Sequence, residues 1–303
     1  MTKKRLLGNI ALLIAALLWG STFVAQSVAS EAVEPFTFLA SRSLLGFVFL
    51  IPVSMIKDEF AKRSGTYQKP TKQNNKLLII GGVLCGVALT VASGLQQFGM
   101  TPDNSGKAGF ITAMYILLVP ILGLFLRKKV RPIMWLCVGL GVVGLYFLCL
   151  TDGMTLATSD IFLIICAVMF SVHILIIDRF SPYVDGVKLS CIQFFTVFVL
   201  ATVLALIFDD TSFATILEAW LPIAYAGIMS SGIAYTLQIV GQKYTEPTVA
   251  SLLMSLESTF AVLTSIVVLQ QAPSSREWIG SGIMLVAIVI SQLPEKRKDK
   301  GQG

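Results

Sequence analysis

The sequence predicts an all-α membrane protein of ten transmembrane helices arranged as two inverted five-helix repeats. Three observations predict it. Of 303 residues, 55% are hydrophobic and only 13% charged, with a mean hydropathy of +0.80. The apolar residues fall in runs long enough to cross a bilayer, and Lys and Arg collect in alternate connections between those runs. A soluble domain carries roughly a quarter charged residues, so a soluble enzyme is excluded.

A hydrocarbon core of ~30 Å takes ~20 apolar helical residues to cross. Ten runs of that kind lie at 6–29, 36–56, 77–99, 106–126, 132–150, 159–177, 187–208, 216–240, 247–269 and 276–293. They leave no room for a soluble domain. The longest connection, 57–76, is basic, contains Gly65 and Pro70, and reads as a surface loop. Lys3, Lys4 and Arg5 before an apolar run and Ser27-Val28-Ala29 resemble a signal peptide. The run is too long for a signal h-region, so it is read as a retained first span.

Orientation follows from the positive-inside rule. With the N-terminus in the cytoplasm, all but three of the 23 Lys and Arg fall on that side: those at 3–5, 57–76, 127–131, 179, 188 and 243, and the tail at 296–300. Lys107 and Arg276 remain outside and Arg42 within the membrane. Both termini are therefore expected in the cytoplasm, with the chain multi-pass in the inner (plasma) membrane. The +6 formal charge lies at span ends rather than along one face, which argues for membrane orientation and against a nucleic-acid partner.

An internal repeat divides the chain into residues 1–151 and 152–303. A shift of 151 residues places Ala16 on Ala167, Trp19 on Phe170, Arg42 on Gln193 and Phe47-Val48 on Phe198-Val199. A nine-residue shortening then places Leu95-Gln96 on Leu237-Gln238, and one further residue of shift aligns Trp135 and Gly139 with Trp278 and Gly282. A repeat of five spans is odd, so the second copy enters from the opposite side, as in many alternating-access carriers.

The stretches Ala16–Val24 (ALLWGSTFV), Arg42, Gly106–Tyr115 (GKAGFITAMY) with Pro120, Ser171–Arg179 (SVHILIIDR) and Leu253–Phe260 (LMSLESTF) resemble the EamA-like family of the drug/metabolite transporter superfamily. The similarity spans the whole chain. It implies ten helices in two inverted halves, a central cavity open to one side at a time, and movement of small metabolites, often export of amino acids or related compounds. Relatives commonly end span 9 with Gly-Glu, where this chain has Gln270-Gln271. A role for that glutamate has no counterpart here.

Ionisable groups at membrane depth are costly and mark functional sites. Glu257 lies near the middle of span 9, beside Ser255 and Ser258, where a carrier would hold a substrate or a proton; the alternative is a structural carboxyl. Arg42 is six residues from the outer end of span 2, ~9 Å deep at ~1.5 Å per residue. At that depth it can anchor a substrate carboxylate, pair with Glu257 or snorkel to the interface. His173, the only histidine, cannot assemble a metal site and reads as a hydrogen-bonded packing residue that also belongs among the site candidates. Lys107 reads as a helix-end anchor.

Uncharged polar residues form a further set: Thr22, Gln26, Gln96, Gln97, Tyr115, Tyr225, Ser230, Ser231, Tyr235 and Gln238. With Trp19, Tyr115 and Tyr235 they describe an amphiphilic cavity, and Gln96 and Gln238 occupy equivalent repeat positions near the expected twofold axis. The site is therefore expected to draw on Glu257, Arg42, Gln96, Gln238, Tyr115, Tyr235, Trp19, Thr22, Ser255 and His173. Gly82 and Gly86, Gly139, Gly141 and Gly144, and Gly280 and Gly282 are expected to let helices approach closely. Spans 5 and 10 become the candidates for scaffold or dimer contact. Pro120 and Pro222 are candidate hinges. Cys85, Cys137, Cys149, Cys166 and Cys191 sit in apolar runs and read as packing residues.

One histidine forbids the His-Glu-x-x-His of an intramembrane metalloprotease. Thr101 and Ala108 break the phosphate-loop pattern around Gly106-Lys107, so the chain is not expected to be an enzyme or to drive transport with ATP. No filter-like loop or charged ring marks a channel. The expected activity is secondary transport, with export of small metabolites such as amino acids or related amphiphilic compounds, against the alternative of a passive channel or structural subunit. No cofactor is expected. The expected partners are a small-molecule cargo and the lipid bilayer, with protons as a candidate coupling ion, no nucleic acid, and a monomer or homodimer as the working unit.

Overall fold

A computed structural model describes residues 3–29, 32–67, 69–99, 105–149, 158–210, 213–268, 270 and 273–293. Among these the chain is helical apart from short connections, and no strand is present. In lipid an unpaired backbone N–H or C=O costs several kcal/mol, so an apolar run closes its hydrogen bonds within itself. The helices are α1 Lys3–Ala29, α2 Pro35–Arg63, α3 Lys72–Gly99, α4 Ser105–Ala113, α5 Tyr115–Phe125, α6 Pro132–Cys149, α7 Thr158–Phe180 and α8 Gly186–Phe208. They continue with α9 Phe213–Glu218, α10 Trp220–Tyr225, a π segment Ala226–Ala234, α11 Tyr235–Gln242, α12 Pro247–Met254, α13 Glu257–Val268 and α14 Ser275–Ser291.

Seven stretches are long and apolar enough to cross a membrane: Lys3–Thr22, Pro35–Arg63, Lys72–Gly99, Ser159–Phe180, Gly186–Phe208, Trp220–Gln242 and Pro247–Thr264. Gly109–Phe125 and Pro132–Leu148 are shorter apolar helices. The surface confirms an apolar solvent. Phe125, Leu206 and Val267 are 81%, 82% and 79% exposed, while Ser43, Ser190, Gln193 and Ser251 are fully buried. A water-soluble protein places these classes the other way round.

Helix starts follow local chemistry. Pro35 and Pro247 open α2 and α12 at a position whose N–H has no intrahelical partner. The Asp185 carboxylate accepts from the Val187 and Lys188 amides at 3.0 and 3.1 Å and caps α8. Ser274 and Glu277 form a capping box on α14.

Interruptions matter more for the site. Met114 separates α4 from α5, and Ser255 and Leu256 separate α12 from α13. At both breaks the backbone tightens to three-residue bonds: Leu117 N–H reaches the Met114 carbonyl at 2.9 Å, and Ser258 N–H reaches Ser255 at 3.3 Å. The nine-residue π segment follows Pro222, which lacks an N–H, and a π stretch of this length is rare outside functional regions.

Close packing sets the helix positions. A Cβ on Gly46 would sit 2.7 Å from Ser231 Cβ, and one on Gly227 would sit 3.0 Å from the Arg42 carbonyl, so α2 and the π segment touch backbone to backbone. Gly144 and Gly280 join α6 to α14 in the same way, a Cβ on either meeting the other's carbonyl at 2.9 and 2.6 Å. Helices α6 and α14 thus pack on each other along their lengths. Gly139 and Gly282 face open space instead, because they lie on the outer sides of those helices. Gly82 and Gly86 of α3 press on Ile192 and Thr196 of α8.

The antiparallel pair α2 and α8 is tied at both ends. At one end Lys57 pairs with Asp185, and Lys188 with Asp58 at 2.7 Å. At the other, the amide and hydroxyl of Thr37 donate to Asp209 at 2.6 and 2.8 Å. Cys85, Cys137 and Cys166 are buried and Cys191 half-buried, all as free thiols; the Cys149 side chain lies outside the described residues.

Candidate functional site

Polar side chains that the apolar runs carry inward meet between α1, α2, α3, α7, α11 and the two interrupted helices. They enclose a cavity of about 70 Å³. Nine of the ten expected site residues line it: Trp19, Thr22, Arg42, Gln96, Tyr115, His173, Tyr235, Gln238 and Glu257. The tenth, Ser255, does not. Its hydroxyl donates at 2.8 Å to the Leu252 carbonyl, the acceptor that the break after Met254 deprives of its usual amide. Ser255 therefore supports the break that aims Glu257.

Glu257 opens α13 and Tyr115 opens α5. The Tyr115 phenol donates to the Glu257 carboxylate at 3.2 Å. Carboxylates are favoured at helix N-termini by the positive end of the backbone dipole, so the break suits an acid there.

Arg42 is turned inward, not towards the interface. It is 7% exposed, its guanidinium stands 5.6 Å from the Phe38 ring centroid, and its Nε has no hydrogen-bond partner. Among the described residues no carboxylate lies within ion-pair distance of it, so of the three readings of Arg42 the pair with Glu257 is not formed. Trp19 Nε1 and Gln238 Oε1 are likewise buried without partners on the cavity wall. Buried polar atoms are nearly always hydrogen-bonded, so three orphans converging on one space mark a place for a polar guest or water.

His173 is fully buried, and its Nε2 lies 2.9 Å from Gln193 Oε1. Its ring also meets Tyr235 edge-on at 6.1 Å, and Tyr235 meets Trp19 at 4.8 Å and Phe194 at 5.4 Å. The histidine thus both packs and lines the cavity. Among the described residues no cluster of metal ligands exists.

Gln26 and Ser230, from the broader polar set, also line the cavity. Gln97, Tyr225 and Ser231 do not; the Tyr225 hydroxyl pairs with Ser21 at 2.7 Å. The Lys107 side chain lies outside the described residues. Four wall residues escaped the sequence reading: Thr112, Phe170, Ile174 and Met254. Thr112 and Met254 stand three residues before Tyr115 and Glu257, one turn away on the same face, and Phe170 falls on Trp19 at the expected 151-residue shift. Those spacings were the available signal.

The profile of the EamA-like transporter family matches residues 6–150 and 157–292. The chain belongs to the EamA-like transporter family. It is accordingly a multi-pass membrane transporter. An uncharacterized transporter of Archaeoglobus fulgidus is 28% identical over 96% of this chain and 87% of its own length. One of Clostridium kluyveri, also named an uncharacterized transporter, is 20% identical over 96% of this chain and 94% of its own. A solved crystal structure 19% identical in sequence shares this fold with a TM-score of 0.78, covering 94% of this chain and 96% of that one.

Proposed function

We propose that this EamA-like protein is a secondary active exporter of small metabolites such as amino acids or related amphiphilic compounds, working by alternating access without covalent chemistry of its own. The observation that carries the reading is the central cavity: a lone acid opening one half-helix, an unpartnered guanidinium, and aromatic walls from Trp19, Phe170 and Tyr235. An amphiphile with a carboxylate would satisfy Arg42 while its apolar part meets the rings.

Alternating access is supported by the cavity's size. At about 70 Å³ it holds several waters, whereas ligand pockets run to several hundred cubic ångströms. Cargo therefore requires the helices to part, and the breaks at Met114 and at Ser255 and Leu256, with the π segment, supply places to bend.

Ten spans in two inverted halves, 1–151 and 152–303, are supported by contacts that recur at the repeat offset. Asp58 holding Lys188 at 2.7 Å has its counterpart in Asp209 holding Thr37 at 2.8 Å, each residue displaced by 151. Tyr115 and Glu257, like Gln96 and Gln238, are offset by 142. Arg127 and Gln270 end their helices at φ 58° and 53°. The chain sits in the inner (plasma) membrane with both termini cytoplasmic, as the Lys and Arg distribution supports. Glu257 is the proton-coupling group, and Arg42 the cargo anchor.

Counterflow in proteoliposomes tests the reading. Vesicles preloaded with an unlabelled amino acid mixture should accelerate uptake of labelled amino acids, saturably. Flux that rises linearly with concentration and shows no trans-stimulation would establish a passive channel instead.

A further inference from the structure

A second cavity, of about 430 Å³, lies towards the end of the molecule that carries Lys128, Lys129 and Lys243. Helices α5, α7 and α11 line both it and the central cavity. Helix α5 contributes Tyr115 to the central cavity and Val119 here, α7 contributes Ile174 and then Asp178, and α11 contributes Gln238 and then Gln242. A step of four residues is ~6 Å along a helix, so the two spaces are stacked.

Charge in the second cavity is unbalanced. Asp178 is taken by Lys128, and Glu246 stands 3.7 Å from Arg131. Lys129 and Lys243, which also line the space, have no acid partner among the described residues. The wall further holds an unanswered acceptor: Gln242 is 3% exposed, its amide nitrogen donates to the Ile174 carbonyl at 3.1 Å, and its Oε1 has no partner. Leaving a buried amide oxygen empty is costly unless something fills the space beside it. The volume lies within the range of small-molecule pockets.

We propose that this space is a vestibule that binds organic anions, taking a carboxylate or phosphate between Lys129 and Lys243 and a hydroxyl or ammonium donor at Gln242 Oε1. Its onward connection to the central cavity rests on the transport reading; the binding site itself does not. The charge is one-sided. At the repeat offset, Lys129 corresponds to Gln271 or Ala272 and Lys243 to Thr101, so the opposite end has no cations at these places in the sequence. Recruitment would then occur from the cytoplasmic side, the direction an exporter needs. The same anionic chemistry is carried by soluble metabolites and by lipid headgroups at the membrane surface.

The test uses full-length protein with Thr248→Cys, a wall position, in phosphatidylcholine nanodiscs that leave both faces open. Mixed-disulfide formation at the new thiol by an anionic and a cationic methanethiosulfonate, with methanesulfinate leaving, is measured, each rate normalised to free mercaptoethanol and corrected for the chain without the added cysteine. The anionic reagent should be favoured about tenfold. The preference should vanish in Lys129→Gln/Lys243→Gln and survive in Lys129→Arg/Lys243→Arg, which separates charge from folding. Slowing by inorganic phosphate identifies a soluble anion as occupant; slowing only in phosphatidylglycerol nanodiscs identifies a headgroup. No anionic preference, no reaction with either reagent, indifference to the lysine replacements, or protection by neither anion overturns the proposal. Counterflow failing while the anionic preference stands would sink the carrier reading and leave the site.

Discussion

Tyr115 and Glu257, 142 residues apart, meet through a hydrogen bond of 3.2 Å across the central cavity. Each is the first residue of the second piece of an interrupted helix. The contact therefore joins two backbone breaks as well as two side chains, and motion at either break would be felt at the acid.

Replacing the acid tests coupling. In Glu257→Gln the group keeps its shape and its place beside Tyr115 but cannot take up or release a proton. Net flux driven by a pH gradient should disappear while counterflow persists. Wild-type pH dependence in that variant would remove Glu257 as the coupling group.

Arg42 should set affinity for the carboxylate end of the cargo. A charge-assisted hydrogen bond contributes about 2 kcal/mol, so Arg42→Gln should raise the apparent KM for counterflow about 30-fold, with the thermal unfolding midpoint little changed. Gln is the residue 151 positions on, Gln193, where the proposed repeat would place the same site. An unaltered KM would show that the guanidinium does not touch cargo.

Two glycine pairs should behave oppositely. A Cβ on Gly280 would lie 2.6 Å from the Gly144 carbonyl oxygen, so Gly280→Val should force α6 and α14 apart and lower stability by roughly 1–3 kcal/mol or more. Gly139 and Gly282 have nothing within 4 Å, and Ala at either should be neutral or stabilising by about 0.5–1 kcal/mol. Thermal unfolding in detergent reads both.

Asp185 should give the protein an acid-side weakness. Burial raises its pKa, but the Lys57 ammonium and the Lys188 amide outweigh that and hold it below the ordinary carboxylate value. A depressed value means that the stabilisation is complete above the unfolded pKa, near ~3.9, and is lost as pH falls through the lower folded value. The unfolding midpoint should therefore drop below about pH 4 in the native chain, and less so in Asp185→Asn. Asp185→Ala should cost about 1 kcal/mol at neutral pH through loss of the α8 cap.

Much of the molecule was legible in the chain because the bilayer imposes one strong rule. Apolar runs of sufficient length must close their own hydrogen bonds, so helix positions could be read from hydropathy, and rare polar residues within them had to face inward. That logic reached Arg42, Glu257 and nine further cavity residues. It missed Thr112 and Met254, whose side chains look like ordinary span residues until Tyr115 and Glu257 fix which face is inward.

By itself, then, the sequence determined that this chain lives in lipid, which segments are helical and which polar groups are worth the cost of burial, since each follows from composition and spacing along one dimension. Only the tertiary structure decided that Arg42 stays unpaired, that Tyr115 and not Arg42 answers Glu257, that Ser255 serves the backbone break, and that two lysines crown a second space. Partners of that kind depend on how helices rotate and cross, and those angles are set by contacts such as Gly46 on Ser231 and Gly144 on Gly280, between residues far apart in the chain.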